Sequence, residues 1–293
     1  MLPFEDEVRS EVKANAQKEV AEARELLRQA LEMLGSDGNG NLRVTSSPVP
    51  GIGDLTTLLA LGLYAKACKQ FRTIIMVGEA GFGSEVTVLT RALFETALAL
   101  EFLLKELVVL RRDGAEVDID ASRPLTTGFR AQLYGARAAL MAEKRLREWG
   151  ERSELSASMD ILGDQATITA QATAARNSVG EAWWKALKKG PAGLTVKDLA
   201  ASLGVASYYV MVYGDQSEVA HAGDAFSHFD VADDESLGLL DLSPSPEGIG
   251  GRLHLASLVF LGCLTSVHNR LQFGQAVDSA LDAFAARLGV PSK

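Results

Sequence analysis

Cysteine is nearly missing from this chain of 293 residues: only Cys68 and Cys263 occur, far apart and each inside an apolar stretch. Two such thiols cannot build the disulfide framework of a small secreted domain, and they read as the reduced thiols of a cytoplasmic protein. Histidine is scarce as well, at four residues, and with two distant cysteines it assembles no Cys-x-x-Cys zinc motif. No metal and no cofactor is expected. The start, Phe4-Glu5-Asp6-Glu7, is acidic where an export signal needs a basic lead into an apolar run. The longest stretch free of Asp, Glu, Lys and Arg, 253–269, still holds His254, Ser257, Thr265, Ser266 and His268. It falls short of the ~20 predominantly apolar residues of a membrane span, so it reads as a buried helix and no membrane partner is expected. Internal repeats, low-complexity tracts and the strict apolar–polar alternation of strands are also absent.

What remains is a chain with the means to fold. Hydrophobic residues make up 47% and charged residues 23%, with 29 basic against 38 acidic side chains and a net charge of −9. A chain of this mass buries about 70% of its surface on folding, and its balance of hydropathy and charge is not that of a disordered segment. The acidic excess works against broad electrostatic capture of nucleic acid, and no double-stranded DNA is expected as a partner.

Helical periodicity dominates, and the fold class is all-α: a multi-helix bundle with long antiparallel helices. Residues 1–35 read as one amphipathic helix, with Leu26, Leu27, Ala30, Leu31 and Leu34 as an apolar stripe. Its free face is expected to pair with a second copy of the chain, giving a homodimer. A turn-rich connection at 36–51 follows; Asp37, Asn39 and Asn41 mimic the start of a calcium loop, but Leu42 and Pro48 stand where its glycine and bidentate glutamate belong. Residues 50–290 then form one helical-bundle domain. Asp54 caps a helix to about Val77, the turn 78–83 leads into a helix over 84–108, and further helices cover 127–148, 154–189, 196–203, 206–221 and 249–287. The segment 109–126 reads as a surface connection, and 228–243 is the place for one short β-hairpin.

Two motifs carry the candidate chemistry. Arg91-Ala92-Leu93-Phe94-Glu95 sits in the apolar helix 84–108 and places Arg91 and Glu95 on one face at (i, i+4). Such a pair is either an internal ion pair or an arginine fork offered to phosphate or carboxylate from a cavity. Ser217-Glu218-Val219-Ala220-His221 ends the helix that carries Tyr208, Tyr209, Tyr213 and Asp215, and again sets Ser217 and His221 at (i, i+4). His221 near a helix C-terminus is favoured as a cation without any ligand. Glu218-x-x-His221 has no second copy to complete a di-iron site. His221, Asp224, His228 and Asp230 form only a loose cluster, and no nucleophile-elbow glycines surround Ser217. The basic run Arg130, Arg137, Lys144, Arg145 and Arg147 reads as a solvated helix face or as a local basic groove.

In its order of motifs the chain resembles a bacterial helical family of unknown function. The resemblance rests on Tyr64 to Phe71, Arg91-x-x-Phe94-Glu95, Thr195-Val196-Lys197-Asp198-Leu199-Ala200 with Leu203-Gly204, and Tyr208 to His221 ending in Ser217-x-x-x-His221, and it covers roughly 50 to 275. That family is similar in layout to the HEPN helical bundles, many of which are metal-independent ribonucleases of toxin and antiphage systems with an arginine a few residues before a histidine on one helix. Here Gln216 stands five residues before His221, so the resemblance implies an arginine supplied by another helix, Arg91.

Two functions follow. In one, Arg91, Glu95, Ser217 and His221 form an internal polar network in a module that binds a protein partner or small ligand. In the other, the chain is an HEPN-like ribonuclease acting on RNA. His221 is then general base on the ribose 2′-hydroxyl, Arg91 stabilises the phosphorane and Glu95 orients Arg91.

Overall fold

A computed structural model describes residues 3–33, 54–151, 164–214, 229–230, 239–240 and 247–290. The described helices are α1 (Pro3–Asn15), α2 (Gln17–Met33), α3 (Leu55–Glu79), α4 (Gly83–Leu104), α5 (Thr127–Gly150), α6 (Gln165–Val179), α7 (Glu181–Ala186), α8 (Val196–Leu203), α9 (Ala206–Tyr213), α10 (Ile249–Leu271) and α11 (Gln275–Arg287). Two antiparallel pairs of two-residue strands accompany them: β1 (Arg111–Arg112) with β2 (Ala115–Glu116), and β3 (Phe229–Asp230) with β4 (Leu239–Leu240). The protein is an all-α multi-helix bundle. The turn region 36–51, with its failed calcium pattern, lies outside the described residues.

The chain packs as two compact units, one of Met1–Ile52, Ala60–Leu100 and Ser207–Lys293, the other of Gly53–Leu59 and Glu101–Ala206. In the first, α10 is the central element. Its buried residues include Leu253, Val259, Phe260, Cys263, Leu264 and Val267. By length and composition α10 could cross a membrane, but 50% of its apolar window is buried inside the protein. Phe260 stacks on Phe71 of α3 with ring centroids 4.2 Å apart. Gly78 lets α3 come close to α10, since a Cβ there would stand 3.2 Å from a Leu253 methyl and 3.4 Å from Val86. Tyr64, fully buried, donates its hydroxyl to the Ala30 carbonyl at 2.8 Å and so ties α3 to α2. Cys68 and Cys263 are free and buried; burial pushes the Cys68 thiol up to about 12 and raises Cys263 further.

The expected long helix over 1–35 is interrupted at Ala16, a bend that keeps its hydrogen bonds to Val12 and from Val20. Its apolar stripe is not free. Ala23, Leu26, Leu27 and Ala30 are buried, and α2 packs along α10.

The helix expected over 249–287 also breaks, because Gln272 and Gly274 take positive φ of 55° and 98°. His268 fixes the corner. The Phe273 N–H donates to its Nδ1 at 3.3 Å, which leaves Nε2 with the hydrogen that meets Asp278 Oδ1 at 2.6 Å.

In the second unit α5 packs along α6, with α7 across both. Thr126 and Asp164 cap α5 and α6 by accepting backbone N–H groups. Gly180, at φ 84°, separates α6 from α7 within the stretch read as one helix over 154–189. The segment 109–126, read as a plain connection, contains the β1–β2 hairpin, whose Asp113-Gly114 turn has φ of 50° and 83°.

The run read as a solvated basic face is corrected at its first two members. Arg130 is 0% exposed and donates through Nη2 to the Lys105 carbonyl just beyond α4, while Nε and Nη1 have no hydrogen-bond partner. Arg137, half-buried, donates to the Leu187 carbonyl. Each guanidinium satisfies a carbonyl at a helix end, where the backbone has none of its own partners and the dipole favours a cation.

Candidate functional site

The site is built on α4 and α9 of the first unit. Helix α4 carries Val88, Arg91 and Glu95 on one face, at spacings of three and four residues. Helix α9 carries Tyr209 and Tyr213, again four residues apart. Val212, next to Tyr213 in sequence, is fully buried.

The two helices meet through Tyr213. Its hydroxyl donates to Glu95 Oε1 at 2.5 Å, and its ring lies under Arg91, whose guanidinium carbon is 4.2 Å from the ring centroid. Tyr209 stacks on Tyr213 at 4.7 Å with an interplanar angle of 17°, and Phe94 meets it edge-on at 6.3 Å. Arg91 Nε is 3.8 Å from Glu95 Oε1, a loose ion pair. Burial raises the Tyr213 pKa above the ordinary phenol value, and the Glu95 carboxylate adds to the rise while Arg91 opposes it.

The arginine and glutamate side chains are 30% and 49% exposed, so the pair is not sealed among apolar neighbours. Val88, Val210 and Met211 on the same two helices are exposed at 44%, 65% and 46%. The result is a half-open stack of guanidinium and two phenols, with a carboxylate holding one phenol. Such a surface can place a guanidinium on an anion and an aromatic plane on an apolar or cationic group.

Arg91 and Glu95 are therefore together, as their spacing requires. Ser217 and His221 lie outside the described residues, as do Glu218, Asp224 and His228. Among the described residues no cluster of three His, Cys, Asp or Glu side chains has the arrangement of a metal site. Tyr213 is the member that spacing alone did not single out. It stands four residues before Ser217 in sequence, and that spacing was the available signal.

Residues 57–236 match a family of unknown function (DUF5677). No curated protein and no solved structure matches the chain.

Proposed function

The chain belongs to that family of unknown function, and from this premise we propose that it is a binding module whose α4–α9 face takes a partner protein. One observation carries the reading: the Arg91–Tyr213–Tyr209 stack, held by the Glu95 hydrogen bond, is part-exposed, with exposed Val88 on the same face of α4. Tyrosine and arginine are enriched among the side chains that dominate the energetics of protein interfaces, tyrosine by burying much area with few rotatable bonds and arginine by its planar fork of donors. A stack already ordered before binding reduces that cost further.

A photo-crosslinking residue at Val88 of the full-length chain, expressed in its own host, tests the reading. The expected result is one discrete adduct whose yield collapses in Tyr213→Ala and Arg91→Ala at a temperature where circular dichroism shows both variants still folded. An adduct of twice the chain mass identifies the partner as a second copy. No adduct, or one indifferent to both substitutions, overturns the proposal.

A second reading, an HEPN-like metal-independent ribonuclease, is favoured by the exposure of Arg91, whose fork can reach a phosphate. It assigns general-base catalysis to His221, eight residues beyond Tyr213 in sequence. Cleavage of RNA by the purified chain in the presence of a chelator, lost in both Arg91→Ala and His221→Ala, would replace the binding module with this enzyme.

A further inference from the structure

A cleft of about 440 Å³ lies in the second unit and shares no residue with the α4–α9 face; its volume is in the size range of small-molecule sites. Its walls come from three separate pieces of backbone. Arg112 reaches it from β1, Asp118 and Ile119 from the segment after β2, and Lys185, Ala186 and Lys189 from α7 and the turn beyond. Three cations thus face one carboxylate in a chain whose acids outnumber its bases.

The walls are rigid for reasons independent of the charges. The β1–β2 hairpin is clamped to α8, since the Asp113 N–H donates to Asp198 Oδ1 at 3.1 Å and the Arg111 N–H donates to Ser202 Oγ at 2.8 Å. Trp183 and Trp184, buried at 2% and 5% exposure, anchor α7. The floor is closed by Gly193 at φ 71°, where a Cβ would stand 2.8 Å from the Ala186 Cβ and 3.0 Å from Ile119 Cδ1. Only glycine lets the 190–194 turn seat Ile119 and Ala186 together.

The cations are free to act. Asp118 spends Oδ1 on the Asp120 N–H at 3.1 Å. Lys185 is 3.6 Å from Glu181, but that carboxylate is already held by Arg176 at 2.6 Å, so Lys185 can turn into the cleft without leaving Glu181 uncompensated. Arg112 feels the Asp198 carboxylate, whose pKa it helps to lower, and Lys189 lies on an exposed turn.

We propose that this cleft binds a small phosphorylated molecule, with Arg112, Lys185 and Lys189 around the phosphate and Ile119 and Ala186 under an apolar portion. The lining carries three cations against one carboxylate, an excess of positive charge that suits a phosphate monoester. The guanidinium of Arg112 supplies the planar fork that two phosphate oxygens accept. The cleft, at about 440 Å³, has room for one small molecule.

The test is calorimetric titration of the full chain with phenyl phosphate, inorganic phosphate, benzoate and a short single-stranded RNA. Phenyl phosphate is expected to saturate one site with a sub-millimolar Kd, and inorganic phosphate and benzoate to bind about tenfold more weakly or worse, each lacking one half of the recognised group. Arg112→Ala and Lys189→Ala should each weaken phenyl phosphate by about fivefold or more, whereas Arg91→Ala should leave it unchanged. Lys189 lies on an exposed turn, so its variant keeps the test open should Arg112→Ala fold poorly. No saturation by phenyl phosphate up to about 10 mM, equal binding to the folded variants, or RNA binding tighter than phenyl phosphate would each overturn the proposal. A failure there leaves the crosslinking result at Val88 standing, because the two sites share no residue.

Discussion

Tyr213 and Glu95, separated by 118 positions in sequence, share a 2.5 Å hydrogen bond that fastens the short helix α9 to α4. The bond joins a neutral phenol to a carboxylate, a stronger class than one between neutral partners. Because the carboxylate is 49% exposed, its worth is reduced by solvent. Tyr213→Phe is expected to cost about 1 kcal/mol, seen as a fall of about 1–2 °C in the thermal midpoint at this chain length. Tyr213→Ala, which also removes the stack with Arg91 and Tyr209, should cost clearly more.

The same tyrosine sets an alkaline limit. Its pKa is raised in the folded chain by burial first and by Glu95 second. The folded state therefore holds the phenolic proton more tightly than the unfolded state does. The associated stability is complete below the unfolded value near pH 10 and is lost as pH rises toward the folded value. Urea midpoints between about pH 8 and 11 should fall less steeply in Tyr213→Phe than in the parent. Equal slopes would show that Tyr213 has no part in the decline.

Arg130 makes the opposite kind of prediction, since burial lowers its pKa and two of its donors have no hydrogen-bond partner. A buried cation costs more in lost hydration than a single carbonyl returns. Arg130→Met keeps the stem and much of the volume, and should leave stability within about 1 kcal/mol of the parent or raise it. Arg130→Lys keeps the charge while shortening the reach to the Lys105 carbonyl, and should be the worse of the two. Thermal melts of both variants decide the order.

A third comparison isolates a steric effect from a backbone one. Gly193 and Gly204 both have positive φ, at 71° and 81°, but an added Cβ meets Ala186 at 2.8 Å only at Gly193. Gly204→Ala should cost about 1 kcal/mol for the backbone alone, and Gly193→Ala at least about 1 kcal/mol more, read from urea midpoints.

The long helices could be read from periodicity because each has one face that must be buried, as Phe71, Ile74 and Ile75 do on α3. Their interruptions were harder to see. At Ala16 and Gln272 no proline or paired glycine marks the break; what holds the second corner is the contact of His268 with Asp278, a tertiary fact. The β1–β2 hairpin was legible and passed over: Asp113-Gly114 is a strong two-residue turn signal, masked by strands only two residues long.

For the site, (i, i+4) spacing put Arg91 beside Glu95 correctly. It gave no means of knowing that their apolar helix leaves this face to solvent, or that Tyr213 completes the group. Exposure depends on what packs across from a helix, and that partner is distant in sequence. The fate of Arg130 and Arg137 follows the same rule, since the carbonyls they satisfy belong to other elements.

The two native thiols have a practical consequence. Cys68 and Cys263 are both buried and both held far from ionisation, so a maleimide added to the folded protein finds no thiolate to attack. A single cysteine introduced at Val88 or Val210 would then be the sole labelled position without any prior removal of native residues. Spin or fluorescent probes can be placed on the α4–α9 face of the otherwise unaltered chain.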